Sequence, residues 1–112
     1  MRWKIHYYSE DLIKWVDSMP VGMRAYYARL TERMIHFGPN LGMPFTRSLS
    51  KGLFELRIKA KEGISRIFYC TVKKNEIVML HGFIKKSQKT PNKEMKLAMK
   101  RMREVINHEQ TS

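Results

Sequence analysis

The period of the apolar residues changes near the middle of the chain, and this change restricts the folds open to it. From Ser9 to Phe37 apolar residues recur at helical spacing. Met23, Tyr27, Leu30, Met34 and Phe37 stand four and three apart, which places them on one stripe. From Leu53 to Ile84 the period falls to two. Phe54, Leu56 and Ile58 alternate with Glu55, Arg57 and Lys59, the pattern of a strand with one buried face.

The punctuation supports the same division. Residues 3–7 alternate Trp3, Ile5 and Tyr7 with Lys4 and His6, which suits a short first strand. Ser9 is a helix cap, and Glu10 and Asp11 favour the positive end of the helix dipole. Leu12, Ile13, Trp15 and Val16 form the apolar side of this helix, which ends before Pro20. A second helix is expected from Val21 to Phe37, stopped by Gly38-Pro39-Asn40. The two helices make a hairpin, and a loop with Gly42, Pro44 and Gly52 follows. Residues 53–59, 64–72 and 76–84 read as strands, the last two rich in β-branched and aromatic side chains. The turns at Lys61-Glu62-Gly63 and Lys73-Lys74-Asn75 are short, so the three strands are antiparallel neighbours. Thr90 caps a last helix with Pro91 at its first position. Met95, Ala98, Met102 and Val105 form its inner face. Helices and strands grouped in runs indicate an α+β fold. A chain of 112 residues has room for one core, so a single domain over residues 1–112 is expected.

The charge narrows the function. Lys and Arg number 22 against 10 Asp and Glu, a net charge of +12. Residues 1–50 carry +3 and residues 51–112 carry +9. So basic a second half calls for a polyanion or an acidic protein as partner. Cys70 stands alone, which excludes an intramolecular disulfide and a Cys-rich zinc site. The four histidines, His6, His36, His81 and His108, lack metal-ligand spacing, and no Walker A or GxGxxG pattern occurs. No cofactor is expected. No apolar run approaches the roughly 18 residues of a membrane span, and Met1-Arg2-Trp3-Lys4 opens no signal-peptide core. The expected location is cytoplasmic.

Arg57, Lys59, Arg66, Lys85 and Lys86 fall on, or just after, the three strands, and neighbouring strands lie only about 4.8 Å apart. By alternation Arg66 shares a face with Ile64, Phe68 and Cys70. Arginine is rarely buried alone. Either that face is a concave, partly open site, or Arg66 pairs with an acid such as Glu55. In a phosphodiester-binding cleft the cations stabilise phosphate charge, and Phe68, Tyr69 or Phe83 stack on bases. Cys70 and His81 make a nucleophile pair only if adjacent strands align them; otherwise Cys70 is core.

Three segments carry a resemblance: Gly52-Leu53-Phe54-Glu55-Leu56-Arg57, Ser65-Arg66-Ile67-Phe68-Tyr69, and Leu80-His81-Gly82-Phe83-Ile84-Lys85-Lys86 with Gln88-Lys89-Thr90-Pro91. Together they resemble a HigB-like, phage-derived branch of the RelE/ParE superfamily of type II toxins, over about residues 1–107. The resemblance implies a RelE-like compact fold, with an N-terminal strand and helical hairpin packed on a twisted antiparallel sheet and a C-terminal helix. It implies a ribosome-dependent mRNA endonuclease, in which the RNA 2′-hydroxyl attacks the adjacent phosphate without a metal. Arg57, Arg66 and Lys86 then match catalytic positions. Lys59, Lys85 and Lys89 match RNA-binding ones, with Phe68, Tyr69 and Phe83 beside them. Some relatives use a tyrosine near the last helix as general base, and this chain has no Tyr after Tyr69. His81, a lysine with a depressed pKa, and Tyr69 are the alternatives. Strand parity puts His81 and Lys86 on opposite faces unless the strand end twists or bulges. The implied partners are the ribosome, mRNA and a cognate antitoxin, helix-turn-helix and HigA-like, with the isolated chain monomeric and no membrane contact. Arg66→Ala is expected to abolish growth arrest in a chain that still folds. A ParE-like gyrase poison and a catalytically silent nucleic-acid-binding module are the competing functions.

Overall fold

The computed structural model describes residues 2–85 and 91–111. In chain order they form β1 (Lys4–Tyr7), α1 (Glu10–Asp17), α2 (Val21–Phe37), β2 (Thr46–Ser48), β3 (Phe54–Ala60), β4 (Gly63–Val72), β5 (Glu76–Ile84) and α3 (Asn92–Thr111). The fold is α+β. Its described strands make one sheet in the order β1-β5-β4-β3-β2. Neighbours are antiparallel except at one edge, where β1 runs parallel to β5 with Tyr7 beside Met79. No described helix is long and apolar enough to cross a membrane.

The helix ends follow from local chemistry. The Ser9 hydroxyl accepts from the Leu12 N–H at 3.2 Å and caps α1. Pro20 opens α2 and offers no side-chain cap. Glu62, from the β3–β4 turn, supplies one instead: its carboxylate accepts from the Gly22 N–H at 2.9 Å. Gly38 ends α2 at φ 97° with its N–H on the Met34 carbonyl at 2.8 Å. A Cβ there would lie 3.2 Å from the Trp3 indole nitrogen, so backbone conformation and close packing both favour glycine. The Thr90 cap expected for α3 lies outside the described residues.

The sheet is covered on both faces. α1 packs on β5 and β1, and α2 on β3, β1 and β4. Leu12, Val16, Met23, Leu30 and Met34 meet Leu56, Ile67, Ile77 and Met79 in this first core. Within it the Tyr7 and Tyr27 hydroxyls share a hydrogen bond of 2.6 Å. α3 packs on the opposite face, over β5 and β4. Ala98 and Met102 there meet Phe68, Cys70, Val78 and Leu80. The strands β4 and β5 are thus buried on both sides, which explains their near-continuous apolar runs. β3 keeps strict alternation because α3 does not reach over it.

Three expectations change. Phe37 is 77% exposed, because the stripe of α2 runs past the sheet after Met34. Ile13 is also exposed, at the edge of the buried face that Leu12 and Val16 form. Thr46–Ser48, read as loop, adds an edge strand along β3.

Candidate functional site

The outer face of β3 and the adjoining end of β4 are where charge collects. Arg57 on β3 stands directly opposite Arg66 on β4. Like charges in register repel, so something must hold them. Glu55 shares the face of Arg57 two residues earlier. Both its carboxylate oxygens lie 2.8 Å from Arg66 Nη1. Arg47 on β2, opposite Glu55 in register, adds an ion pair at 3.4 Å. Arg66 is 7% exposed and Glu55 3%. The two alternatives left open for Arg66 are therefore both realised: it pairs with Glu55, and it lines a cleft. The cleft measures about 70 Å³, with Arg47, Arg57, Arg66 and Glu55 on its walls and Met43 and Pro44 as an apolar lip.

Lys85, just after β5, joins this group. Its ammonium is held below the ordinary lysine value, chiefly by desolvation and then by the Arg66 and Arg57 guanidiniums, with Glu55 opposing. Four cations thus face one carboxylate. Such a site attracts an anion with more charge than Glu55 can balance.

A β-bulge brings Lys85 here. Phe68 pairs with His81, yet Tyr69 pairs with Met79, so Leu80 is an extra residue on β5. The extra residue reverses the parity of the strand beyond it. His81 pairs with Phe68, Phe83 with Arg66, and the face of Arg66 continues to Lys85. Gly82 turns to the other face, where a Cβ would lie 2.3 Å from the Trp15 ring of α1.

The remaining expected site residues fall elsewhere. Phe68 is fully buried and Phe83 is 7% exposed, stacked on each other beneath α3 at 5.7 Å between centroids. Neither presents an open ring to a base. Tyr69 points into the opposite core, where its hydroxyl donates to the Pro39 carbonyl. Burial raises its pKa, which removes it as a proton acceptor for this face. His81 Nε2 lies 2.8 Å from Glu94 on α3, and its ring is not on the cleft wall. Lys59 is exposed on β3, beyond Arg57 on the same face. Lys86 and Lys89 lie outside the described residues. Cys70 pairs in register with Val78, not His81, and burial pushes its thiol up to about 11. Arg47 was missed in the sequence, because three residues show no alternation to read. Met43 and Pro44 were missed because the loop offers no period at all.

A search of curated proteins returns no match. The family model described as phage-derived protein Gp49-like (DUF891) matches residues 14–103. That span runs from α1 into α3 and includes every residue named on the cleft wall, with Lys85. The chain belongs to the Gp49-like family of phage-derived proteins.

Proposed function

We propose that this protein is the toxin of a type II toxin–antitoxin pair and that it cuts mRNA on the ribosome. The observation that carries this is the cleft itself, where Arg47, Arg57 and Arg66 line the walls about the Glu55 carboxylate, with Lys85 close enough to feel their charge. The family membership and the +9 charge of residues 51–112 support it.

In the proposed reaction the RNA 2′-oxygen forms a bond to the adjacent phosphorus and the bond from phosphorus to the 5′-oxygen breaks. The products are a 2′,3′-cyclic phosphate and a 5′-hydroxyl. The 2′-hydroxyl proton passes to a base, and the leaving oxygen takes up a proton. Arg57 and Arg66 stabilise the additional negative charge on the phosphorane oxygens. Lys85 accepts the 2′-hydroxyl proton, as the lysine beside Arg66 and Arg57, whose charges favour its giving up a proton. The cognate antitoxin, an acidic and apolar segment of a helix-turn-helix protein, covers the cleft. The free toxin is a monomer, as sedimentation would report.

Cleavage mapping by primer extension tests the assignment on naked RNA and on programmed ribosomes, with wild type, Arg57→Ala and Lys85→Arg. Cuts are expected on ribosomes alone. Arg57→Ala is expected to lose about 10²–10³ in rate, the scale of losing one transition-state donor. Lys85→Arg keeps the cation but cannot deprotonate. It should lose the rise of rate with pH that wild type shows below the ordinary lysine value of 10.5. Intact RNA in every sample would turn attention to gyrase poisoning or silent binding.

A further inference from the structure

We infer that Arg101, on α3 and outside the cleft, is a positioning residue that clamps the β5 bulge and thereby sets Lys85 against Arg66. The bulge strips Leu80 of a partner on β4, and a buried carbonyl without a donor is costly. Arg101 Nη1 donates to the Leu80 carbonyl at 2.8 Å. Its guanidinium lies 4.6 Å from the centre of the Tyr8 ring. Tyr8 follows β1, and its own N–H donates to the Met79 carbonyl at 2.8 Å, the residue before the bulge. The Tyr8 hydroxyl donates to Glu104, one turn beyond Arg101 on the same helix. Two backbone carbonyls in succession, Met79 and Leu80, are thus held by one interlocked group drawn from β1 and α3.

Without the extra residue, Leu80 would pair with Phe68, and Gly82 and Ile84 would occupy the face of Arg66. His81, Phe83 and Lys85 would turn toward Trp15 and α1. A cavity of about 320 Å³ beside Tyr8, Trp15, His81 and Arg101 leaves room for such a rearrangement. The clamp excludes it by satisfying the Leu80 carbonyl only in the bulged form. This inference rests on the nuclease assignment for its catalytic consequence, but not for its structural one.

The test compares wild type with Arg101→Met, which keeps an apolar stem and removes the donor, and Arg101→Lys, which restores a cationic donor. Proton NMR reads the cross-strand contact between Phe68 and His81 and the titration of Lys85. Ribosome-dependent cleavage, read separately at saturating and limiting ribosome, gives the rate and the half-saturation point. Arg101→Met is expected to lose the Phe68–His81 contact and to move the Lys85 titration up toward the ordinary value. Its saturated rate should fall by roughly a hundredfold, as expected for a reacting group misplaced by an ångström, with half-saturation unchanged. Arg101→Lys should keep the contact and most of the rate. An Arg101→Met protein with the wild-type contact and the wild-type Lys85 titration would overturn the inference. If Arg101→Met does not fold, Tyr8→Leu decides, since it removes the ring that orients the guanidinium. It should shift the same two NMR readouts in the same direction, and unchanged readouts would overturn the clamp. A wild-type protein that cuts no RNA would overturn the nuclease assignment, while the contact and the titration would still decide the clamp.

Discussion

Arg66 is held by Glu55 as tightly as it is poised for an anion. Both oxygens of a carboxylate 3% exposed accept from it, with Arg47 at 3.4 Å. Removing the guanidinium takes from a buried carboxylate its nearest cation and leaves it the longer pair to Arg47. Arg66→Ala is therefore expected to lose cleavage and also about 3–5 kcal/mol of stability, the scale for breaking a buried pair. That is a large share of a small domain's stability, and urea unfolding of Arg66→Ala reads whether the chain still folds as expected. Arg66→Met with Glu55→Gln removes both charges. It should recover most of the stability and none of the activity, measured by urea unfolding and primer extension. At this scale much of the site was legible. The parity of Arg66 pointed to the apolar side of its strand, and Glu55 was the acid named for it. Phe68, Tyr69 and Phe83 were not legible as core. A strand buried on both faces has the same composition as one with aromatics displayed.

Among the elements, β5 decides the most. Its bulge turns Gly82 against the ring of Trp15, where a Cβ would lie 2.3 Å from a ring carbon. The half-buried ring packs on the sheet here and must shift toward the cavity beside Tyr8 to admit a methyl group, so Gly82→Ala is expected to destabilise by about 1–3 kcal/mol. A lower urea midpoint with unchanged slope would register it, and adding Trp15→Leu should return part of the loss. An unchanged midpoint would mean that α1 moves freely on β5. The long elements were legible because α2 and β3 repeat one period over many residues and carry clear stops, such as Gly38 and the Lys61-Glu62 turn. The bulge was not legible. Val78-Met79-Leu80-His81 offers apolar residues to both faces, so no break in alternation marks the extra residue. Nor was the remote cap on α2, since Glu62 and Gly22 are 40 positions apart.

For the whole molecule, the buried tyrosines set an upper limit in pH. Burial raises Tyr27, and likewise Tyr69, above the ordinary value of 10.0. Both stay protonated in the folded chain where an unfolded tyrosine would ionise. The stability they contribute is intact below pH 10 and lost as pH rises toward the folded values. The unfolding free energy is expected to fall by roughly 1.4 kcal/mol per pH unit for each tyrosine. Cys70, raised from 9.0 to about 11, adds an earlier and shorter decline. Urea unfolding at a series of alkaline pH values measures the slope, and Tyr69→Phe should remove one tyrosine's share. A slope that Tyr69→Phe leaves unchanged would mean that its hydroxyl does not stay protonated in the fold. The parallel pairing of β1 with β5 has a consequence in time. Tyr7 is made 72 positions before its sheet neighbour Met79. At translation rates of about 5–20 residues per second, β1 waits roughly 4 to 14 seconds for its partner. Lys85 follows Met79 by only six positions, so the edge of the sheet and the cationic cluster are completed almost together. Only between the making of Arg66 and that of Lys85 does the nascent chain hold both arginines without the last cation. A ribosome building this protein is therefore exposed to the finished cluster only once the last strand of the sheet is made.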